Sequence, residues 1–402
     1  MCAAAATEAS AQDRGLVLNE QIQLGDVIVG QTLNVVDVSD QVTVSNAAQG
    51  NSLVGGADGQ AVDVRSSQDM RGEASASTTM TLGGDTNGLV TSITQARGNY
   101  LAGTATRTQM GIEPTQSASG DVTASSLITG QDARLVGGGT IAAGAYGNTV
   151  ALAGDGSGSN RASLVGSIDQ TTTGQVRATN QASPRFVRDP AEFSSQAVAN
   201  AVQATSGPST NQELEVRQRS SGAMVEAGTG VHAGNGWNLA ARAHAGGNQA
   251  AFYNQGGSLI ATTDQENSAR IRGAVQLSSY DFGKATAVAS AVANDVTVGN
   301  NDIYVDIDNT QMNTGGVEAT ASFVGQKGYD AYVGANAAGN SITGYACAEC
   351  GGDLNARNVQ TNAGNVSAIA NTTINGNGRN VIAGANAVGN AATFYVTRTG
   401  GN

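Results

Sequence analysis

Apolar and polar residues alternate along most of this chain with the two-residue period of a half-buried strand. In residues 16–44, Val27 and Val29 alternate with polar positions, and Val36, Val38, Val42 and Val44 carry the period across an Asp-Gln break. Further on, GDVTASSLI (120–128), TIAAGAYGN (140–148), TVALAG (149–154) and RASLVGSID (161–169) read as strands, with DGSGSN (155–160) as a turn. Such a unit predicts three to five short strands and no helix. One segment competes. In DPAEFSSQAVANAVQA (189–204), Asp189 before Pro190 has the form of a helix start. Asn200 within it keeps phase with the repeat described next, so a strand is expected there too.

The alternation is itself periodic. A small residue followed by Asn, after alternating small residues, recurs at Asn51, Asn99, Asn148, Asn200, Asn248, Asn294, Asn340 and Asn390, in steps of 48, 49, 52, 48, 46, 46 and 50 residues. A second marker, Gln-x-x-x-small-x-apolar, begins at Gln21, Gln68, Gln116, Gln170 and Gln360, with looser versions at Gln218, Gln265 and Gln311. Each Gln precedes its Asn by 29 to 32 residues. Two markers in phase over eight cycles define a repeat array, in which each unit is stabilised by packing on its neighbours. Residues 16–402 are therefore expected to be one β-repeat array, and residues 1–15 a separate N-terminal segment.

Eight units of about 48 residues suit two all-β architectures. One is an elongated β-solenoid with about two coils per unit, roughly 75 Å long at strand spacing. The other is an eight-bladed propeller with one blade per unit. Propeller blades use larger wedge-filling residues, whereas this chain has 55 glycines, 4% aromatics and a single Trp. Small residues suit a narrow solenoid, and recurrent Asn and Gln suit amide ladders between coils. The solenoid is expected, with Gly and Asn as corner residues in left-handed backbone conformations.

Charge narrows the partners. The net charge is −12, and Lys284 and Lys327 are the only lysines. Nucleic acid requires clustered cations, so it is not an expected partner. No stretch reaches the roughly 20 apolar residues of a membrane helix. The opening residues end in Ala9-Ser10-Ala11 before Gln12, the small-x-small form of an export cleavage site, with the rest of the signal expected upstream. A lipidated Cys2 is a second possibility.

NEQIQLGDV (19–27), NVVDVSD (34–40), GYACAECGG (344–352) and ANAVGN…YVTR (385–398) resemble the holdfast anchor protein D family of stalked alphaproteobacteria. The resemblance implies an exported, outer-membrane-associated cell-surface protein. It would help fasten the holdfast polysaccharide to the cell pole, beside a curli-like companion anchor protein and an outer-membrane secretion partner. It implies no enzyme, no cofactor and no catalytic residues. The repeat grammar is also similar to that of curli subunits, which makes a self-assembling extracellular fibre the alternative. A β-helical polysaccharide-active enzyme ranks third, because no convergent carboxylate pair interrupts the repeat.

Three local features carry candidate chemistry. Cys347 and Cys350 form a CxxC; with no thioredoxin-like unit and no spaced zinc partners, a structural loop disulfide in an oxidising compartment is expected. In DIYVDIDN (302–309), Asp302, Asp306 and Asp308 oppose Ile303, Val305 and Ile307. The acids suit Ca²⁺ in chemistry, but a solvated acidic face that discourages edge pairing is the expectation. Tyr100, Tyr146, Phe252, Tyr253, Tyr345, Phe394 and Tyr395 cluster near the Asn positions. In register they would make a row for stacking on sugar rings, with Tyr253 and Tyr395 as glycan contacts.

Overall fold

The computed structural model describes residues 14–302, 304–347 and 353–397. All its regular structure is β, and the named strand pairings are parallel, as in a β-helix. The chain passes through β1 (Gly15–Gln23), β2 (Val27–Val35) and β3 (Gln41–Asp58). It repeats the path as β4 (Val62–Met70), β5 (Ala74–Leu82) and β6 (Leu89–Thr106), then as β7 (Gln109–Ala118), β8 (Val122–Leu135) and β9 (Gly139–Asp155). A fourth pass is β10 (Ala162–Thr172), β11 (Val176–Val187) and β12 (Ala191–Ser206). In the next three passes the second and third segments fuse into one bent strand: β13 (Thr210–Ser220) with β14 (Met224–Asn254), β15 (Ser258–Asn267) with β16 (Arg270–Asn300), and β17 (Tyr304–Asn313) with β18 (Val317–Cys347). β19 (Asp353–Asn362), β20 (Val366–Ile374) and β21 (Asn380–Thr397) form the last pass.

Register corrects several expectations. Asn51 pairs with Asn99, Asn99 with Asn148, and so on to Asn340 with Asn390. One ladder step therefore consumes a whole repeat, not the half that two coils per unit would need. Seven steps at about 4.8 Å span roughly 34 Å, less than half the length expected. Parallel pairing also rules out the propeller alternative, whose blades are antiparallel sheets. The strands are longer than expected; five passes have three, the low end of the three to five per unit expected, and the three fused passes have two. Residues 191–206, where a helix competed, are strand β12.

Each third segment bends at its asparagine, and the bend divides the interior. In β9 the inward residues are Ile141, Ala143 and Ala145, then both Gly147 and Asn148, then Val150 and Leu152. Two consecutive inward residues flip the alternation, so the two halves of the strand face different cores. The first half packs against the second segments, as in Phe193 and Ala197 with Val176 and Ala178. The far half packs against the first segments, as in Val150 and Val202 with Leu164 and Ile168. Alanine dominates the first core because the facing walls leave little room for larger side chains.

Between the two cores stand two amide ladders. Gln68 Nε2 donates to Gln21 Oε1 at 2.8 Å, and the series continues through Gln116, Gln170, Gln218, Gln265, Gln311 and Gln360 at 2.7–2.8 Å. The asparagines run the other way: Asn51 Nδ2 donates forward to Asn99 Oδ1, and each later one donates to its successor at 2.7–2.9 Å. The second amide hydrogen crosses between walls. Gln170 bonds the Ala201 carbonyl, just past its own Asn, and Asn148 bonds the Thr171 carbonyl, just past the next Gln. Buried amides that spend both donors in this way incur no desolvation penalty for unmade bonds.

The expectation for the corner residues holds only in part: Gly59, Gly138, Gly158 and Gly257 take a positive φ at connections between strands, but the asparagines do not. No asparagine of the ladder has a positive φ; Arg107 and Ser209 are the non-glycine residues that do. The glycines of the Gln motif are likewise outside the left-handed region. Their constraint is close stacking: a Cβ on Gly120, Gly174 or Gly364 would overlap the carbonyl oxygen of Gly72, Gly120 or Gly315 in the adjoining pass.

Asn200 accepts from Asn148 and Thr172 and donates to Asn248 and the Arg219 carbonyl. Asn200→Ala leaves these buried groups short of partners and should cost roughly 2–4 kcal/mol in denaturant unfolding. Gln203→Ala, at an exposed position of the same strand, should change stability by less than about 0.5 kcal/mol.

Candidate functional site

The inward kink at each asparagine makes the outer surface concave. Outward residues at the kink are consequently shielded: Val198 is buried, and Val292 nearly so. The resulting groove has a volume of about 460 Å³ and runs over several passes. Arg97, Tyr146, Gln196 and His244 line it before the kink, and Gln249, Tyr253 and Asp295 after it. Parallel register brings these distant residues together, since His244 lies one pass from Gln196, and Gln249 one pass from Asp295.

The groove is polar and partly dehydrated. Gln249 Nε2 lies 2.7 Å from His244 Nε2. An amide nitrogen can only donate, so the imidazole accepts through Nε2 and carries its hydrogen on Nδ1. Burial lowers the His244 pKa, which keeps the ring neutral. Burial raises the Asp295 pKa, and a hydrogen bond from Ser341 partly opposes the shift. Burial also raises the Tyr146 pKa, while the nearby Arg97 guanidinium opposes it. Arg97 lies over both Tyr100 and Tyr146, at 4.9 and 5.7 Å from the ring centroids, and the Tyr146 hydroxyl donates to Gln196 Oε1 at 2.9 Å. Neutral donors and acceptors beside aromatic rings suit a ligand rich in hydroxyl groups. Among the residues lining the groove, Asp295 is the one carboxylate, whereas glycoside hydrolysis uses two.

The aromatic residues named from the sequence fall into separate columns. Tyr253, Gly299, Tyr345 and Tyr395 are successive register partners on the outer face. Tyr345 and Tyr395 stack at 6.0 Å, and the Tyr253 and Tyr345 rings approach over Gly299, which has no side chain to separate them. Phe252 points inward and is fully buried, so it is core and no part of the row. Phe394 shares that inward column and is uncovered only because it lies in the last pass.

The other candidates are placed as follows. The ladder asparagines lie at the kink: Asn51, Asn99, Asn148, Asn200, Asn248, Asn294 and Asn340 are buried and shape the groove from behind, while Asn390, in the last pass, is uncovered. Val305 and Ile307 are buried, while Asp302, Asp306 and Asp308 are engaged individually, by the Gly257 amide, by Tyr304 and Asn355, and by Arg357. Among the described residues no acidic or Cys/His group is arranged to hold a metal. Cys347 ends β18 half-buried with no sulfur partner among the described residues. Cys350, its expected partner, lies outside the described residues, as do Ile303 and the N-terminal segment with Cys2 and the expected cleavage site. No described helix is long and apolar enough to cross a membrane.

Sequence reasoning missed Arg97, Gln196, His244, Gln249 and Asp295 as groove residues. A signal was present. In TIAAGAYGNTVALAG the inward residues are odd-numbered through Gly147 and even-numbered from Asn148, and that parity change marks a kink with a concave outer side.

Asp295→Asn tests the electrostatics. A raised folded-state pKa means that ionised Asp295 destabilises the fold above that pKa, and that the effect vanishes once the carboxyl is protonated in both states. The variant should melt higher than wild type at neutral pH, with the advantage shrinking on acidification toward pH ~4. For His244 the sign is reversed: a depressed pKa costs stability as pH falls below the usual histidine value.

Comparison with curated proteins and with solved structures finds no match. A family model described as holdfast attachment protein D matches residues 36–316, more than half of the chain. The chain belongs to the holdfast attachment protein D family.

Proposed function

We propose that this protein is a non-enzymatic, exported cell-surface component that fastens holdfast polysaccharide to the outer membrane at the cell pole. In this reading the repeats form an eight-coil β-solenoid whose kinked face is the attachment surface. Family membership supplies the attachment role. The observation that carries the mode of contact is the outward column Tyr253–Gly299–Tyr345–Tyr395, which starts at the groove. Aromatic faces flanked by amides, hydroxyls and a neutral imidazole match the alternating apolar and hydroxylated faces of sugar rings. The curli-like companion anchor and the outer-membrane secretion partner belong to this reading through the family resemblance. A Cys347–Cys350 bridge would fit the oxidising environment it requires.

A second reading, a self-assembling fibre subunit, draws on the ends of the array. Leu16, Leu18 and Ile22 in the first pass, and Ile369, Val381 and Ile382 in the last, are more than 40% exposed. The outer edges of these passes have no paired strand among the described residues. Such edges can template further strands. Concentration-dependent fibres from purified protein would favour this reading, and a species that stays monomeric would count against it.

The attachment reading is tested by Tyr253→Ala combined with Tyr395→Ala. Both side chains are exposed, so the melting temperature should hold. Cells carrying the double variant should retain about tenfold less holdfast under shear, the loss of roughly two aromatic contacts. Retention equal to wild type would remove the tyrosine column from the mechanism.

A further inference from the structure

A second surface lies at the corner where the second and third segments meet. In the first four passes separate strands meet there through short connections, but in β14, β16 and β18 the strand runs through without a break. This corner carries the chain's single tryptophan, Trp237, and both of its lysines, Lys284 and Lys327. Trp237 is 60% exposed and Tyr329 47% exposed, high values for large rings in a folded chain. The two rings meet edge to face at 5.8 Å and 79°, although their strands are separated by β16. They meet because Gly283 lies between them: a Cβ there would overlap the Trp237 carbonyl oxygen and stand 3.0 Å from the indole.

Charged groups frame the rings. Trp237, Asn238, Gly283, Lys284, Tyr329, Asp330 and Arg379 enclose an open cavity of about 480 Å³. Arg379 lies 5.3 Å from the Tyr329 centroid and binds Asp330 through two bonds, of 3.0 and 2.6 Å. Asp330 is thereby ion-paired to Arg379. Lys284 faces the Tyr332 ring at 5.7 Å and makes no ion pair among the described residues. Asp330 also feels the Lys284 charge, so on a protein of net charge −12 the two cations and one carboxylate lining the cavity leave it one net positive charge beside two perpendicular aromatic surfaces.

We propose that this corner is a binding subsite for an acidic sugar residue, a uronate within an oligosaccharide, with Trp237 and Tyr329 packing against the ring and Lys284 receiving its carboxylate. Concave shape, aromatic walls and one convergent charge are the ingredients of a small-ligand site, and an ammonium over an aromatic face remains free to pair with an anion. An acidic peptide fits less well, because β14 and β16 are hydrogen-bonded on both sides and offer no free edge to an extended chain. The subsite is separate from the kink groove. It rests on the attachment reading for its biological setting but is testable without it.

Because Trp237 is the chain's single tryptophan, emission of the full chain excited at wavelengths where tryptophan absorbs and tyrosine does not reports on this corner. Titration with tetragalacturonate should give a saturable change in emission, with chitotetraose, a neutral sugar, giving none at the same concentrations. Lys284→Gln should weaken binding about tenfold, the loss of one charge-assisted contact. Tyr329→Ala should abolish it while leaving the melting temperature unchanged. No saturable change, an equal response to chitotetraose, or unaltered binding by Tyr329→Ala would each overturn the proposal. Binding of a tetraglutamate peptide as tightly as the sugar would assign the corner to acidic peptides instead. A negative titration alongside normal holdfast retention by cells would remove this subsite and leave the attachment reading standing.

Discussion

Everything in this fold depends on the pair of amide ladders between its two cores. A third segment bent inward would bring polar backbone into a dry interior, and unpaired groups there each cost about 1–3 kcal/mol. The glutamines bind the carbonyls beyond the asparagines, the asparagines bind the carbonyls beyond the glutamines, and each row bonds along itself. The two rows donate in opposite directions along the stack, so their dipoles oppose each other. Because amides must meet amides, a shift of one residue in a strand that carries a ladder glutamine or asparagine would break bonds in both rows. The ladders therefore fix register as much as they add stability.

The same constraint produces the external surface. The kink that lets Asn148 reach the Thr171 carbonyl also folds the outer face into a groove and withdraws His244 and Asp295 from water. Inward and outward residues alternate along one strand, with inward positions holding the stack and outward ones lining the groove. Ion pairs between neighbouring passes, such as Arg65–Glu113 and Arg242–Glu192, are exposed and contribute little individually. One stands apart: Glu226 is nearly buried and receives both Arg177 and Arg272, linking three passes.

Aromatic residues follow a local rule of spacing. Trp237–Gly283–Tyr329 and Tyr253–Gly299–Tyr345 both place a glycine between two rings, on the middle one of three passes. Adjacent strands lie about 4.8 Å apart, so rings on alternate passes can tilt together only if the strand between offers no side chain. The glycine makes the Trp237–Tyr329 contact possible, and at Gly299 it leaves no side chain between Tyr253 and Tyr345.

The sequence alone determined the repeat, its phase and its β character, because the ladders demand Gln and Asn at fixed intervals and the pleat demands alternation. Residues 189–204 show how firmly: the phase of Asn200 outweighed a local helix signal, since an in-register amide has partners that an isolated helix would lack. Only the tertiary structure decided how much chain one ladder step consumes. Both one and two coils per 48 residues satisfy the alternation, and the choice depends on where the strands bend. It also decided why the corners are small. Gly120 and Gly174 are required by carbonyls of the adjoining pass, a contact between residues about fifty positions apart that local conformation does not express. The groove and the tryptophan corner were hidden for the same reason: His244, Asp295, Trp237 and Tyr329 become neighbours across passes, and that proximity is a property of the winding.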